Sequence, residues 1–381
     1  MRLTELRHHE FNRILLIKPS AVGDVVHALP VLAKLRERYP AARIDWMLTP
    51  PIAELIRHHP ALSNVVLFAR EAYGRPWEDW SHSFDFIRMV RDLHDAHYDM
   101  VIDLHGQFRS AFFTLATGSA TRIGFDRPRR HVRWAGRRLP RQALLHGWTG
   151  ARELSWVAYT HRIPVPTLDA HAVDRYLWVA DLLDLPPGPA EFDVPVPPEA
   201  ASSMDRVLNE HGLAAKPLAV LTPGTIWETK HWPPESFARV ARHLADSGWA
   251  VVLAGAPRDR PRCQSVAAGC PEAVDLCGRT KLSELVALIR RARICVTNDS
   301  GPMHLAAALG TPLVSIFGPT DPVWIGPYGR PEAVVRAGLD CSPCYLRRLR
   351  DCPHGHGCMH QVTPEMVIRR IERILAAADA A

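Results

Sequence analysis

The sequence lacks any apolar run long enough to cross a membrane. None of its segments approaches the roughly 20 consecutive apolar residues that a bilayer-spanning helix needs. The first apolar run, residues 14–17, is also far too short for the core of a signal peptide. The sequence therefore predicts a cytoplasmic protein.

Motifs for dinucleotides and for nucleic acids are missing as well. No Gly-x-Gly-x-x-Gly follows the first predicted strand, so the dinucleotide fingerprint is absent there. No helix-turn-helix, zinc-finger or aromatic ribonucleoprotein pattern accompanies the basic residues. These absences make nucleic acid a weak candidate partner, although the net charge is +6.

Positive charge is concentrated in one basic block, residues 122–141, which holds eight arginines and a single acidic residue, Asp126. Such a block favours an anionic partner, such as a membrane surface or a phosphorylated substrate. A solvated loop is the plainer alternative, and for runs of charge it is the commoner outcome. The sequence leaves both open.

What the chain does contain is the pattern of an α/β protein. A length of 381 residues is too great for one typical core, so we expect two domains. Strands alternate with helices in both halves, which predicts two Rossmann-like domains with parallel sheets. We place an N-terminal domain at residues 1–185, a proline-rich linker at 186–198 and a C-terminal domain at 199–381. The final helix could pack back on the N-terminal domain, and the ligand cleft is expected at facing strand ends.

The apolar spacing predicts the individual elements. In the N-terminal half it predicts strands at residues 13–18, 43–48, 65–68 and 100–104, with helices at 24–39, 84–97, 153–159 and 170–183. In the C-terminal half it predicts strands at 218–221, 249–254, 294–297 and 313–317, with helices at 234–247, 282–291 and 365–377.

Candidate functional residues lie in loops that follow strands, where open α/β sheets bind ligands. In the first such loop, Gly23 permits a tight turn and Asp24 stands at the start of a helix. A carboxylate there could serve as a general base on an incoming hydroxyl. It is equally well explained as a first-turn acid that caps the helix.

Three further loops of this kind lie in the C-terminal half. Lys230 lies between a strand and a helix, where its ammonium could neutralise phosphate oxygens, although an isolated lysine is usually only solvated. Asp259 follows a glycine turn and could accept a hydrogen bond from a ribose hydroxyl. The stretch 298–304 begins a helix whose N-terminal amides suit phosphate, or simply a capped helix.

Four ordered motifs in these loops resemble glycosyltransferase family 9, the ADP-heptose:lipopolysaccharide heptosyltransferases. The motifs are Ser-Ala-Val-Gly-Asp at 20–24, Lys-His-Trp-Pro at 230–233, Asn-Asp-Ser-Gly-Pro-Met-His at 298–304 and Phe-Gly-Pro-Thr-Asp-Pro at 317–322. The resemblance runs from about residue 13 to residue 374. It implies a GT-B fold, an ADP-heptose donor and metal-independent inverting transfer to a sugar hydroxyl of the inner core.

The resemblance also implies roles for individual residues. Asp24 matches the catalytic base, and Thr225 and Lys230 match residues that contact the diphosphate. Segments 103–110 and 171–175 look more like the heptosyltransferase I branch, although His105 stands where that branch more often has a small or polar residue. The nucleotide site would be lined by Asp299, Ser300, Gly301 and His304, with Asp259 aligning more loosely. Charge, rather than the resemblance, suggests the acceptor ligands, because arginines bind phosphates and carboxylates in bidentate fashion. These candidates are Arg70, Arg75, Arg109 and Arg130.

Four of the eight cysteines crowd near the C-terminus, as Cys-x2-Cys-x7-Cys-x5-Cys. Four thiolates at such spacing can hold zinc or iron tetrahedrally, while free thiols and disulfides are the alternatives. A metal here would be structural, since the resemblance requires no cofactor for catalysis. The four residues are Cys341, Cys344, Cys352 and Cys358.

The partners implied are ADP-heptose, an anionic lipid-linked oligosaccharide acceptor and the inner face of the cytoplasmic membrane, with no nucleic acid. Two alternatives stay open. One is a family 9 transferase that glycosylates a protein or another glycan. The other is a non-catalytic protein that binds a nucleotide sugar.

Overall fold

The computed structural model describes residues 3–70, 80–127, 133–134, 137–138 and 148–380. These residues form two compact units, which divide between Asp193 and Val194. That division falls inside the proline-rich segment 186–198. Each unit has its own parallel sheet and its own apolar core.

The N-terminal unit is built on a six-stranded parallel sheet with the order β3-β2-β1-β4-β5-β8. Its central strands are buried on both faces, which is why they read as continuous apolar runs in the sequence. A separate antiparallel ribbon joins β6 to β7. The strands are β1 Arg13–Ile17, β2 Arg43–Leu48, β3 Asn64–Leu67, β4 Met100–Asp103, β5 Thr121–Phe125, β6 Arg133–Trp134, β7 Arg137–Arg138 and β8 His161–Ile163.

Seven α-helices of this unit are described, and a single 3-10 turn, Ser155–Ala158, follows β5 in the chain. The helices are α1 Leu3–His8, α2 Val22–Arg38, α3 Pro50–Ile56, α4 Trp80–Asp95, α5 Phe108–Ala116, α6 Ala172–Leu177 and α7 Ala180–Leu183.

The C-terminal unit repeats the architecture, with a parallel sheet in the order β11-β10-β9-β12-β13-β14. Its strands are β9 Leu218–Thr222, β10 Ala250–Leu253, β11 Val274–Asp275, β12 Ile294–Asn298, β13 Leu313–Phe317 and β14 Val334–Arg336. Its helices are α8 Pro198–Glu210, α9 Pro234–Asp246, α10 Arg260–Gly269, α11 Leu282–Arg291, α12 Gly301–Ala308, α13 Pro322–Ile325, α14 Gly357–His360 and α15 Pro364–Asp379.

Each sheet reverses its strand order at one point. In the N-terminal sheet β1 lies between β2 and β4, and in the C-terminal sheet β9 lies between β10 and β12. The connections on the two sides of these strands leave in opposite directions, which opens a crevice at the carboxyl ends of the strands. The chain therefore has two expected ligand positions, one after β1 and β4 and one after β9 and β12.

One predicted helix is wrong. The apolar spacing at residues 153–159 predicted a helix, but Glu153 and Leu154 have positive φ angles of 53° and 61°. An α-helix cannot pass through that conformation, so only the short 3-10 turn forms. The predicted helix at 170–183 is likewise divided into α6 and α7.

The closing helix α15 packs within the C-terminal unit. Its residues Val367 and Ile371 are buried in the same apolar cluster as β10, β12 and β13. Among the described residues, no helix has the length and apolar content needed to span a membrane.

Candidate functional site

Asp24 lies in the first turn of α2, directly beyond the carboxyl end of β1. Its Oδ2 accepts a hydrogen bond of 3.2 Å from the amide of Ala21, as a capping acid does. Its Oδ1 lies 3.3 Å from the Tyr176 hydroxyl, which donates to it, and 3.7 Å from Nζ of Lys18. With 44% of its side chain exposed, the carboxylate both caps the helix and reaches solvent.

Lys18 is the buried counterion of this carboxylate. Burial works to lower the pKa of the Lys18 ammonium, but the charge of Asp24, together with Tyr176 and Asp103, raises it above its ordinary value. Burial and the charge of Asp24 also raise the pKa of Tyr176 to about 12, so its hydroxyl stays a donor. Asp24 is therefore held in position by one cation and one neutral hydroxyl.

The turn after β4 approaches the same place. Asp103 is fully buried, and its Oδ1 accepts bonds of 2.8 and 3.0 Å from the amides of His105 and Gly106. Gly106 has φ +65°, a conformation that favours glycine. Burial and the nearby charge of Lys18 lower the pKa of His105 to about 3. His105 is therefore neutral at physiological pH, beside the Lys18–Asp24 pair.

Two of the four predicted acceptor-binding arginines are described. Arg70 is exposed just beyond β3, and Arg109 is exposed in the first turn of α5. The Arg109 guanidinium lies 6.0 Å from the centroid of the Phe68 ring. Arg75, Arg130 and half of the basic block (residues 128–132, 135–136 and 139–141) lie outside the described residues.

In the C-terminal unit, Lys230 and Asp299 form a tight ion pair. Lys230 ends a short 3-10 turn after β9, and Asp299 follows β12, the neighbouring strand. The Lys230 Nζ lies 2.6 Å from Oδ2 of Asp299, and Thr320 donates to the same oxygen at 2.5 Å. The side chains of the pair are only 11% and 4% exposed. The structure thus brings together a predicted diphosphate ligand and a predicted nucleotide-site residue.

Asn298 ties the loops around this pair together. Its side-chain amide donates to the carbonyl of Pro223 at 2.8 Å and accepts from the amide of Trp232 at 3.1 Å. Thr225 joins the same arrangement, since its hydroxyl donates to the carbonyl of Asp299 at 3.1 Å. The loop after β9 is therefore fastened to the end of β12 on both sides of Lys230.

The predicted helix N-terminus is also present. Ser300 is the N-cap of α12, which begins at Gly301, and its hydroxyl lies 2.9 Å from that of Thr297. His304 lies in the first turn of α12 and is largely buried. Amides at this helix start have no partners within the helix and carry the positive end of its dipole. They lie next in sequence to Asp299, so anion-binding amides and a cation occupy one edge of the sheet.

Asp259 closes against the loop after β9. Its Oδ2 accepts a bond of 2.9 Å from the amide of Ala256, and its carboxyl group abuts Gly224. A Cβ added at Gly224 would lie 2.2 Å from Cγ of Asp259. Burial raises the pKa of Asp259. Glycine is thus required at residue 224 by the close approach of a neighbouring loop.

Gly224→Ala should lower the stability of the protein by about 1–3 kcal/mol, because the new methyl group overlaps a carboxyl group held by a backbone amide. The measurement is thermal unfolding of the ligand-free protein. Asp259→Ala, introduced in the Gly224→Ala background, should recover most of the loss. If the double variant unfolded as early as Gly224→Ala alone, the overlap with Asp259 would not be the cause.

The C-terminal cysteines surround one small cavity. Cys341, Cys344, Cys352 and Cys358 line about 170 Å³ together with His354. Among the described residues, the group whose possible ligand atoms all lie within 4.8 Å of one another is a different one, Cys263, Asp275 and Cys277.

The cysteine segment braces the Lys230 loop. Thr229, which precedes Lys230, donates to the carbonyl of Leu346 at 2.5 Å, and its own carbonyl lies 2.6 Å from Nε2 of His356. The amide of Leu349 donates to Glu228 at 3.0 Å. Residues between and beside the cysteines therefore fix the backbone that carries Lys230.

Sequence reasoning missed several residues at these positions. Lys18 follows β1 by one residue, and a lysine directly after a buried strand was a usable signal. Thr320 lay inside a recognised motif without an assigned role. Tyr176 carried no signal, because its partner Asp24 lies 152 residues away in the chain.

The protein has two doubly wound parallel sheets. A carboxylate follows β1 of one sheet, and a cation lies beside a helix N-terminus in the other. This combination is that of the GT-B glycosyltransferases. A profile described as Glycosyltransferase family 9 (heptosyltransferase) matches residues 86–144 and 138–351. The chain belongs to this family, and it is an enzyme that transfers a glycosyl group. The predicted family and fold class are confirmed.

Individual relatives agree with this assignment. The chain is 30% identical to lipopolysaccharide heptosyltransferase 1 of Pseudomonas aeruginosa, over 96% of this chain and 99% of that protein. Among solved structures, it resembles Escherichia coli ADP-heptose lps heptosyltransferase II, with a TM-score of 0.71, 25% identity and coverage of 96% and 99%. It also resembles the E. coli heptosyltransferase WaaC with ADP-2-deoxy-2-fluoro heptose, with a TM-score of 0.70, 26% identity and coverage of 95% and 99%.

Proposed function

We propose that this enzyme transfers heptose from ADP-heptose to a sugar hydroxyl of an inner-core lipopolysaccharide acceptor, with inversion at the anomeric carbon. The proposal is carried by the side chains that lie where each sheet reverses its strand order. One holds a positioned carboxylate, Asp24, and the other holds Lys230 beside the N-terminus of α12. A displacement of a nucleoside diphosphate needs a base for the acceptor and positive charge for the leaving group.

In the proposed step, the acceptor oxygen attacks the anomeric carbon of heptose as Asp24 takes the hydroxyl proton. The bond between the anomeric carbon and the phosphate oxygen breaks, and ADP leaves with the electron pair. Lys18 and Tyr176 hold Oδ1 of Asp24, while the capping bond from Ala21 fixes Oδ2. The carboxylate is thereby oriented before the acceptor arrives.

The departing diphosphate is stabilised by Lys230 and by the amides that begin α12. The hydroxyl groups of Thr225 and Ser300 lie close to the same edge of the sheet, where they are hydrogen-bonded to the Asp299 carbonyl and to the Thr297 hydroxyl. Asp259 offers a carboxylate oxygen to a ribose hydroxyl from the neighbouring loop. Gly301 leaves the backbone of the first turn open to phosphate, and His304 is buried in the same turn.

On the acceptor side, Arg70 and Arg109 present exposed guanidinium groups in the N-terminal unit. Guanidinium groups bind phosphates and carboxylates in bidentate fashion, and an inner-core acceptor carries such groups. We assign the same role to Arg75 and Arg130 from the sequence. Because that acceptor is lipid-linked, the enzyme works as a peripheral protein at the inner face of the cytoplasmic membrane.

The test is a transfer assay with ADP-heptose and a panel of truncated lipopolysaccharide acceptors, with products identified by mass spectrometry. We expect the mass of one heptose to be added to an acceptor with an incomplete inner core. Transfer only to a protein or to an unrelated glycan would show that the inner-core acceptor is wrong. Binding of the donor without transfer to any acceptor of the panel would contradict the proposed reaction.

We also propose that the four C-terminal cysteines hold one structural zinc or iron ion. They surround a single cavity, and thiolates are the ligands that both metals accept in tetrahedral sites. The proposed ion stiffens the segment that fixes Thr229 and thereby the Lys230 loop. It takes no part in the transfer step.

The purified protein should contain about one zinc or iron ion per chain by elemental analysis, since four thiolates complete a tetrahedral site. Cys344→Ser should lose the ion and lower the unfolding temperature. Cys263→Ser is the matched control, because it removes a buried thiol of the other candidate group. If Cys263→Ser lost the metal and Cys344→Ser kept it, the ion would belong to the group of Cys263, Asp275 and Cys277, and the proposed site would be wrong.

A further inference from the structure

The N-terminal unit exposes an unusual concentration of apolar side chains. Twelve large apolar residues are exposed among the described residues, and seven of them lie on three neighbouring elements of this unit. We call these seven the apolar face; each is between 41% and 71% exposed. They are Phe84 and Ile87 on α4, Phe108, Phe112 and Leu115 on α5, and Leu154 and Val157 in and before the 3-10 turn.

The three elements are in contact, so the face is continuous. The ring of Phe86 on α4 stacks on that of Phe112 on α5, with centroids 6.0 Å apart. The amide that begins α5, on Phe108, donates to the carboxylate of Glu153 at 3.0 Å. Helix α5 therefore lies between α4 and the 3-10 turn, and carries the centre of the face.

The sequence spacing of α5 places its exposed apolar residues on one side of the helix. Phe108, Phe112 and Leu115 are spaced at i, i+4 and i+7, which places them on one stripe of the helix. The opposite stripe, with Phe113 and Thr114, is buried in the unit. A helix at the surface of a soluble domain normally carries polar residues on its outer stripe, and a contiguous exposed apolar surface marks an interaction site.

Charged residues at the rim point to the kind of partner. On α4, Arg88 and Arg91 continue the stripe of Phe84 and Ile87, and on α5 Arg109 follows Phe108. Asp85 lies 3.7 Å from Arg88 and Asp95 lies 3.4 Å from Arg91, so both arginines of α4 are paired, and Asp92 adds a third acid to that helix. Among the described residues, Arg109 is the arginine of these two helices without a carboxylate at ion-pair distance. Aromatic rings with interleaved arginines suit the boundary between lipid tails and phosphate head groups, where long basic side chains extend to the phosphates.

A second copy of the chain is the alternative occupant. In a two-fold dimer the same face would meet itself. Helix α4 carries Asp85, Asp92 and Asp95 beside its arginines, so both signs of charge would be present on each side of such a contact. The position of the face is what favours the bilayer.

The position of the face also fits a lipid-linked acceptor. Helix α5 begins two residues after Gly106, in the turn that Asp103 holds beside the Lys18–Asp24 pair. We propose that the apolar face docks on the surface of a bilayer that contains anionic phospholipid. This proposal rests on the proposed function, because docking at this face would bring the membrane that carries the acceptor next to the acceptor site.

The experiment is flotation of the purified full-length protein with vesicles of phosphatidylethanolamine and phosphatidylglycerol, without donor or acceptor. The variant replaces three strongly exposed residues, Phe108→Ser, Leu115→Ser and Leu154→Ser, and leaves the Phe86–Phe112 stack intact. We expect its partition onto vesicles to fall at least about tenfold, since each side chain loses its transfer into lipid. The control is Leu3→Ser, at an exposed apolar residue of the same unit on α1, outside the face, which should bind as the unchanged protein does.

Two further readings separate the alternatives. An Arg88→Glu, Arg91→Glu variant should bind phosphatidylglycerol vesicles more weakly than the unchanged protein does. If the triple variant partitions normally, the proposal is wrong. It is also wrong if the unchanged protein does not bind vesicles and is a dimer, while the triple variant is a monomer. Vesicle binding is read without transfer, so a failed transfer assay would remove the proposed function and leave this result standing.

Activity gives an independent check on the folded triple variant. Transfer to a deacylated, water-soluble acceptor should match that of the unchanged protein, while transfer to an acceptor embedded in vesicles should fall about tenfold with the loss of partition. Equal loss on both acceptors would indicate damage to the active site and would contradict a docking role.

Discussion

Asp24→Asn should lower the rate of heptose transfer by about 10²–10⁴-fold, the range that general-base catalysis contributes. The amide cannot take the proton from the acceptor hydroxyl. Its oxygen can still accept the bond from the amide of Ala21, so the start of α2 should keep its cap. The variant therefore separates the chemical role of Asp24 from its structural role.

Rates should be measured with saturating ADP-heptose, and ADP binding should be measured by calorimetry. We expect ADP affinity to change less than twofold, because Asp24 belongs to the N-terminal unit and the predicted nucleotide ligands to the other. Glu37→Gln is the matched control, since it neutralises an exposed acid at the far end of the same helix. A variant with near-normal transfer would show that another group takes the proton.

The second large effect is expected at Lys230. Lys230→Met should lower kcat/KM for ADP-heptose by about 10²–10³-fold, as loss of a preorganised charge at a leaving group does. It should also destabilise the protein by about 3 kcal/mol, because Asp299 is left buried without its cation. Lys216→Met, at an exposed lysine of the same unit, should change neither quantity.

A double variant distinguishes the two effects. Lys230→Met with Asp299→Asn removes both charges, so unfolding measurements should show much of the stability restored. Transfer should stay low, because no cation faces the diphosphate. Recovery of transfer in the double variant would mean that Lys230 serves only to neutralise Asp299.

Much of this fold follows from apolar spacing. Strands β2 and β13 have the bounds that the sequence predicted, because both are short buried runs flanked by loop residues. Strands β11 and β14 were not predicted, since two or three residues at a sheet edge carry too little pattern. Strand β5 was also missed, because Arg122 interrupts its apolar run.

The residues of the candidate site also differ in how far the sequence predicts them. Residues within a loop after a strand, such as Asp24, Lys230 and Asp299, could be found because the strand that places them is visible in the sequence. Contacts between distant loops could not. Nothing in the sequence predicts that Asp259 requires glycine at residue 224, since that depends on how closely two loops approach. The roles of these residues stay predictions until the variants are measured.

The Lys230–Asp299 pair has one further consequence, for the release of product. A diphosphate that binds the Lys230 ammonium competes with the Asp299 carboxylate, which lies 2.6 Å from it and is supported by Thr320. If Lys230 binds the diphosphate as proposed, this carboxylate would weaken the binding of the donor and of ADP alike. After transfer it would pair with the lysine again as ADP leaves. The proposal therefore predicts rapid release of the nucleotide rather than tight retention.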